Sequence, residues 1–245
     1  MPRKGQRQER RPLGAEGDSQ GFAALADAYL ESLRVRNYSP ATITSREHHL
    51  REFISWAEER GLTRPTEVTK PTLERYQRWL YHYRKKNGEP LSFRSQHGCL
   101  VPVRALFKWL CRQNLLLANP AADLDLPRAE KRLPRHVLTA SEAERVLGLP
   151  DPADAGLGLR DRAMLETLYS TGMRRMELLG LKLYDLDQER GTVFVRQGKG
   201  KKDRMIPLGE RAFVWVRKYL EDARPTLSLS ADLSLIHISE PTRPY

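Results

Sequence analysis

Residues 195–208 read VRQGKGKKDRMIPL and gather three lysines and two arginines around two glycines, between two short apolar runs. Glycines beside lysine could wrap backbone N–H groups around a phosphate, as a P-loop does. The spacing excludes that motif, because no G-x-x-x-x-G-K-[ST] is present and the segment has the pattern strand, turn, strand. The sequence therefore predicts a basic hairpin tip, although a turn that is merely solvated has the same composition.

The overall charge points to a polyanionic partner. The 245 residues carry a formal net charge of +11, and the sequence pI is near 9.8. We expect nucleic acid rather than an acidic membrane, because no basic amphipathic stretch flanks an apolar anchor. The sequence contains no run of 18 apolar residues and no apolar signal region near the N-terminus. We therefore expect a cytoplasmic protein with no membrane partner.

The two cysteines do not have metal-site spacing. Cys99 and Cys111 fall in one segment with helical periodicity and have no histidine or further cysteine nearby at ligand spacing. We interpret them as buried thiols in a reducing compartment. The sequence predicts no metal site and no cofactor.

The first half of the chain has the pattern of a helical module. Residues 1–20 are polar and rich in arginine, and we expect them to be disordered. Residues 21–118 contain four segments in which apolar residues recur at helical spacing, several of them opened by Ser-Pro or Thr-x-Pro starts. Pro102 within the fourth segment predicts a kink or a late helix start. The sequence thus predicts a four-helix domain.

The second half begins after a linker. Residues 119–135 combine prolines, alternating charges and short aliphatic stretches without a sustained period. Residues 136–231 then alternate helices, one of them closed by Gly172, with the basic hairpin, and a last helix is expected to stop at Pro225. The sequence predicts a mainly helical protein with a small antiparallel sheet in this second domain.

Two motifs resemble the catalytic domain of the tyrosine recombinases, the phage-integrase and Xer-type family. One is TGMRRMEL at 171–178, and the other is GKGKKDRMIPL at 198–208. The front segment YLESLRVRNYSPATITSREHHLREFISWAEERG is similar to the opening of that family's SAM-like core-binding domain. The resemblance covers roughly residues 22–230. It implies a core-binding, DNA-binding domain followed by a partial α+β catalytic domain.

The resemblance also implies roles for three residues. Arg174 is the first catalytic arginine, Glu177 is its acidic companion, and Lys199 is the hairpin lysine. A guanidinium can hold two oxygens of a scissile phosphate in a planar fork, and a lysine on a mobile turn can give a proton to the departing 5′ oxygen. Glu177, one turn after Arg174, is placed either to orient it or simply to pair with Arg174 or Arg175 on a helix face.

Other basic residues are candidates for sequence-independent phosphate contacts. On the hairpin, Lys201 and Lys202 are also alternatives to Lys199 as the catalytic lysine. In the front domain, the candidates could equally form a solvated face. The full set of predicted DNA-binding residues is Arg46, Arg94, Arg104, Lys108, Lys201, Lys202 and Arg204.

The end of the chain departs from the family pattern. The family continues with a His-x-x-Arg box, a further His or Trp and the nucleophilic tyrosine, over on the order of 70 residues. Here His237 precedes Arg243 by six positions, and Tyr245 comes too early to be the nucleophile. We expect a C-terminally truncated catalytic domain that is inactive as written, and we interpret residues 232–245 as a non-native tail.

The sequence therefore predicts a site-specific recombinase that, in its intact form, cleaves and rejoins double-stranded DNA through a 3′-phosphotyrosyl intermediate. We expect the intact form to assemble as a homo- or hetero-tetramer on DNA, without metal or nucleotide. The alternative is a DNA-binding module without chemistry. A helical transcription regulator is a weaker alternative, because it leaves the two motifs unexplained.

Overall fold

The computed structural model describes residues 18–128, 137–154, 157–198, 200 and 202–227. They form two compact units, one up to residue 128 and one from residue 137. The segments 1–17 and 228–245, which contain most of the predicted disordered start and all of the predicted non-native tail, lie outside the described residues. The predicted domain boundaries stay predictions.

The N-terminal unit consists of the four predicted helices. Their N-termini follow local sequence: Ser39 Oγ accepts a hydrogen bond from the Thr42 N–H at 3.3 Å, and Ser92 Oγ accepts one from the Ser95 N–H at 3.1 Å. A short 3-10 turn, Pro65–Glu67, precedes the third helix. The helices are α1 (Phe22–Val35), α2 (Pro40–Glu58), α3 (Lys70–His82) and α4 (Phe93–Arg112).

Aromatic side chains fill the core of this unit. Phe53 is fully buried, and its ring centroid lies 5.0 Å from that of Tyr76, 5.8 Å from that of Phe22 and 6.2 Å from that of Phe107. These edge-to-face contacts join α1, α2, α3 and α4 at one point. The predicted linker contributes as well, since Leu124 is buried in the same core.

The fourth helix runs through its proline. Pro102 is buried inside α4, which starts at Phe93, so the helix does not start late. The two cysteines of α4 carry free thiols; Cys99 is buried and Cys111 is partly exposed. Burial raises the pKa of the Cys99 thiol to about 11. No helix among the described residues is long and apolar enough to cross a membrane.

The C-terminal unit combines helices with a three-stranded antiparallel sheet in the order β1-β2-β3. In the register, Val193 of β2 pairs with Leu186 of β1 and Ile206 of β3, and Val195 pairs with Arg204. The predicted mainly helical fold with a small antiparallel sheet is confirmed. The elements are α5 (Ala140–Leu147), α6 (Leu157–Thr171), α7 (Arg175–Leu179), β1 (Leu186–Asp187), β2 (Thr192–Val195), β3 (Arg204–Pro207), α8 (Glu210–Lys218) and α9 (Arg224–Leu227).

One face of the sheet packs on helices. Val193 and Val195 alternate with half-buried positions of β2 and are buried in the same core as residues of α6, α7 and α8. This packing fixes the sheet, and therefore the hairpin between β2 and β3, to the helix that carries Arg174. The buried members of this core are Leu159, Ala163, Met173, Leu178, Leu181, Val193, Val195, Leu208, Ala212, Val216, Tyr219 and Ala223.

The predicted helix stop at Pro225 is wrong. A π-helical turn, Tyr219–Ala223, follows α8, and α9 then continues as Arg224–Leu227 with Pro225 as its second residue. The backbone keeps helical dihedrals at Lys218, Tyr219 and Arg224, so the helix runs on through the widened turn. The fixed φ of proline, near −65°, is itself a helical value.

Replacing Phe53 with alanine should destabilise the N-terminal unit by about 3–5 kcal/mol, because the change opens a cavity where four helices meet. Urea unfolding followed by tryptophan fluorescence measures the loss. Tyr81→Ala, at a position where the side chain is 54% exposed, is the control and should change the free energy of unfolding far less. Equal losses in the two variants would contradict the assignment of Phe53 as the centre of the core.

Candidate active site around Arg174

Arg174 lies at the junction between α6 and α7. Gly172 ends α6 with φ +61°, and its N–H donates to the Leu168 carbonyl at 2.9 Å. A left-handed residue at this place closes the helix and reverses the chain, and glycine adopts that conformation without a steric cost. Arg174 then takes extended dihedrals and serves as the N-cap residue of α7. The side chain of Arg174 is 57% exposed.

Glu177 holds Arg174 at two points. Its Oε2 accepts a hydrogen bond from the Arg174 backbone N–H at 2.8 Å, and its Oε1 accepts one from Arg174 Nη1 at 2.9 Å. The same carboxylate thus fixes the main chain and the guanidinium of one residue. The structure brings together the two residues that the first motif predicts.

Arg204, the first residue of β3, binds the same carboxylate. Its Nη2 donates to Glu177 Oε2 at 2.6 Å and its Nη1 donates to Glu177 Oε1 at 3.1 Å. This is the bidentate geometry in which guanidinium and carboxylate bind most strongly. The Glu177 side chain is 7% exposed, whereas that of Arg204 is 37% exposed. Glu177 is therefore a buried anion between two arginines.

The two arginines keep Glu177 ionised. Hydrogen bonds from the Arg204 guanidinium, followed by those from the Arg174 backbone and side chain, lower the pKa of Glu177 from 4.5 to about 2, and partial burial opposes them. The carboxylate consequently carries a full negative charge at any physiological pH. It cannot act as a proton donor there, and its role is to hold the arginines.

Hydrogen bonds between its two sides hold the base of the hairpin between β2 and β3. The Gln197 N–H donates to Asp203 Oδ1 at 2.7 Å, and the Gly198 N–H donates to the Lys202 carbonyl at 3.0 Å. Lys202 is exposed. Lys199 and Lys201 lie outside the described residues, so the catalytic role of Lys199 and the phosphate contact of Lys201 stay predictions.

Gly198 packs against the ion pair. A Cβ at this position would lie 2.6 Å from Arg204 Nη1, 2.9 Å from Glu177 Oε1 and 3.1 Å from the Lys202 carbonyl. A side chain at residue 198 would therefore require the Glu177–Arg204 pair to shift. The residue before Lys199 is thereby packed against the partner of Arg174.

A second arginine fixes the other strand of the hairpin. Arg196 Nε donates to Asp185 Oδ1 at 2.6 Å, and the guanidinium lies over the rings of Phe194 at 4.8 Å and Tyr184 at 5.3 Å. The Asp185 side chain is 2% exposed, and its other oxygen accepts from the Lys182 N–H at 2.9 Å. Sequence reasoning did not identify Asp185 or Arg196 as part of the site.

A further charge network joins three helices of the same unit. Glu166 is buried on α6, and its Oε1 lies 2.7 Å from Arg162 Nη2 and accepts from Arg211 Nε at 2.9 Å. Arg211 on α8 also binds Glu144 on α5 through both terminal nitrogens. This network fixes α6, which ends just before Arg174. The sequence gives little signal for the contacts of Arg211, because it is 45 residues from Glu166 and 67 residues from Glu144.

The basic residues predicted to bind DNA in the N-terminal unit fall into two environments. Arg46 on α2 donates to the Tyr29 hydroxyl and lies 5.2 Å from the Tyr38 ring, so its guanidinium packs on aromatic groups. Arg94, Arg104 and Lys108 lie on α4, within an arc of about 80° at 100° per residue and opposite the buried face. Arg94 and Lys108 are exposed, and Arg104 is half-buried.

One cluster could hold a metal ion among the residues that the structure describes. Nitrogen atoms of His48 and His49 lie 3.5 and 3.4 Å from the Glu52 carboxylate oxygens on α2. His48 and Glu52 are exposed and His49 is half-buried. All three belong to the N-terminal unit, whereas Arg174 belongs to the C-terminal one. The chemistry available around Arg174 is that of fixed cations, which suits the binding of a phosphate group.

Comparison with known proteins identifies the class. Residues 136–244 match the model of the phage integrase family, and residues 26–114 match that of the phage integrase N-terminal SAM-like domain. XerH site-specific recombinase bound to a palindromic difH substrate superposes with a TM-score of 0.62 at 20% identity, over 88% of this chain and 62% of that one. A λ integrase tetramer bound to a Holliday junction gives 0.60 at 20% identity, over 89% and 60%.

Sequence relatives agree. Tyrosine recombinase XerC 2 of Ralstonia nicotianae is 54% identical over 82% of this chain and 58% of its own length. Tyrosine recombinase XerD of Yersinia pestis is 33% identical over 86% and 68%. The chain belongs to the phage integrase family of tyrosine recombinases. It spans 58% of the length of the first of these relatives and 68% of the second.

The low pKa of Glu177 predicts how stability depends on pH. A carboxylate whose pKa is about 2 in the folded state and 4.5 otherwise stabilises the fold above pH 4.5, and this contribution is lost as the pH falls from 4.5 towards 2. The difference in free energy of unfolding between the wild type and Glu177→Gln should therefore shrink across that window. Urea titrations at several pH values measure it. Glu189→Gln, at an exposed position, is the control, and the same pH dependence there would contradict the role of Glu177.

Gly198→Ala should displace the Arg204–Glu177 pair and destabilise the C-terminal unit by about 1–3 kcal/mol, as overpacking does. Thermal unfolding measures the loss. Gly98→Ala is the matched control, because a Cβ at this helical glycine meets nothing within 4 Å, and alanine favours the helix there. Equal stability of Gly198→Ala and wild type would refute the close approach.

Proposed function

We propose that this chain provides the DNA-binding domain and the first part of the active site of a site-specific DNA recombinase. The intact protein would cleave and rejoin double-stranded DNA through a 3′-phosphotyrosyl intermediate. The observation that carries the proposal is the Arg174 guanidinium, which is more than half exposed and is held in place by the buried carboxylate of Glu177.

The position of Arg174 suits a scissile phosphate. A guanidinium has five N–H donors, and the bond to Glu177 uses Nη1 of Arg174. Other donors of the planar group can bind two non-bridging oxygens of a phosphodiester. These oxygens gain negative charge during strand cleavage, and a cation that is already oriented stabilises that charge without further reorganisation.

Lys199 is the proposed proton donor. The departing 5′ oxygen needs a proton as its bond to phosphorus breaks, and an ammonium group on the hairpin can supply one. Support comes from its neighbour Gly198, which packs directly against the Glu177–Arg204 pair.

The remaining basic residues are proposed to bind DNA backbone phosphates. Arg94, Arg104 and Lys108 present positive charge on the outward side of α4, and Lys202 does so on the hairpin. Such contacts add affinity without sequence preference and weaken as salt rises. The net charge of +11 agrees with a polyanionic partner. We propose that the intact protein works as a tetramer on DNA in the cytoplasm, without a metal or nucleotide cofactor.

Arg174→Met tests the proposal. The chain should bind duplex DNA with an affinity that falls steeply between 50 and 200 mM salt. The chain spans 58% of the length of XerC 2. Strand cleavage is therefore measured in a hybrid protein, in which this chain up to residue 227 is followed by the remaining C-terminal part of XerC 2. On a nicked duplex that traps the covalent adduct, Arg174→Met should lower the rate at least about 100-fold.

Lys199→Ala is the companion variant in this experiment. It should abolish cleavage by the hybrid while leaving DNA affinity nearly unchanged. If the hybrid binds DNA but forms no adduct, the chain is better described as a DNA-binding module. If the chain shows no salt-dependent binding to duplex DNA, both descriptions are wrong.

A further inference from the structure

We propose that Arg204 is a positioning residue that acts through Glu177 and keeps the positive charge of Arg174 available for a phosphate. This inference rests on the proposed function. It replaces the interpretation of Arg204 as a direct contact to DNA, which the sequence alone suggested. Arg174, Glu177 and Arg204 together form the arginine cluster.

The two arginines bind the Glu177 carboxylate unequally. Arg204 engages both oxygens of Glu177 through its two terminal nitrogens, whereas Arg174 engages one oxygen through one side-chain nitrogen. A carboxylate that binds a single arginine favours the bidentate geometry, in which two guanidinium nitrogens donate to its two oxygens. With Arg204 in that geometry, the Arg174 guanidinium is held at one nitrogen only, and the Arg174 side chain stays 57% exposed.

The charges lead to the same conclusion. Two arginines and one ionised glutamate give the arginine cluster a net charge of +2 − 1 = +1. Without Arg204 the remaining Arg174–Glu177 pair would be neutral, and it would offer an approaching phosphate no excess positive charge of its own.

Arg204 also ties the hairpin to the helix that Arg174 caps. It is the first residue of β3, and its Nη1 adjoins Gly198, the residue before Lys199. Arg196, directly after β2, is held by the buried Asp185 in the same way. Each strand is therefore fixed by a buried carboxylate where it enters the loop. One ion pair both orients Arg174 and holds the hairpin base beside it.

A double-mutant cycle on duplex DNA binding tests the inference. Arg204→Met gives the arginine cluster a net charge of zero and should weaken binding by about threefold to tenfold at low salt. Arg204→Met combined with Glu177→Gln restores a net charge of +1 and should bind within about twofold of wild type. Glu177→Gln alone leaves +2 and should bind at least as tightly as wild type. The expected result is therefore that Glu177→Gln rescues the binding lost in Arg204→Met.

A direct phosphate contact by Arg204 predicts a different pattern. Removing Glu177 would then not compensate for the lost contact, and the double variant would bind as weakly as Arg204→Met. That outcome would overturn the inference. Arg190→Met is the matched control, because Arg190 is an exposed arginine of the same unit that pairs with Asp187. It measures the effect of losing one positive charge elsewhere, and an equal effect of Arg204→Met would also overturn the inference.

A second measurement separates this inference from the proposed function. Carboxyl NMR titration of Glu177 does not involve DNA, and Arg204→Met should raise the pKa of Glu177 from about 2 towards 4.5. An unchanged pKa would overturn the inference, whereas failure of the wild type to bind DNA would overturn the proposed function. If Arg204→Met does not fold, Arg204→Gln keeps one hydrogen-bond donor for the buried carboxylate and completes the same cycle.

Discussion

The site depends on one buried carboxylate that is shared by two arginines. Glu177 is taken out of water, and a carboxylate in that position needs several hydrogen bonds to stay charged. Arg174 and Arg204 supply them from two elements that are far apart in sequence. The capped start of α7, the exposed guanidinium of Arg174 and the absence of a side chain at residue 198 all follow from satisfying this anion.

Buried carboxylates that pair with arginines occur at two further places in the C-terminal unit. Asp185 is buried and paired with Arg196, and Glu166 is buried and shared by Arg162 and Arg211. Breaking such a pair by removing one partner leaves an unpaired buried charge, which costs more than the intact pair contributes to stability. Buried carboxylates paired with arginines thus fix the geometry of a unit whose apolar core is small.

Much of this architecture follows from local sequence. Serine N-caps, a glycine in the left-handed region and alternation of apolar residues in β2 predict the helices and the hairpin, because each acts within a few residues. The two motifs predict Arg174 and Glu177 as neighbours for the same reason. The partner of Arg204 could not be predicted, since it is 27 residues away and a surface arginine near lysines has the pattern of a DNA contact. Leu124 was likewise assigned to a linker, because its burial depends on the packing of distant helices.

The π-helical turn at Tyr219–Ala223 sets how α9 is rotated relative to α8. Such a turn contains one residue more than an α-helical turn, and it is the form that a helix takes when it absorbs a single inserted residue without losing its ends. Tyr219 and Ala223 both face the core here. Removing one residue from this stretch would restore a regular helix and rotate α9 by about 100° relative to α8. The face that α9 presents therefore depends on one residue of this turn, while the site around Arg174 lies outside it.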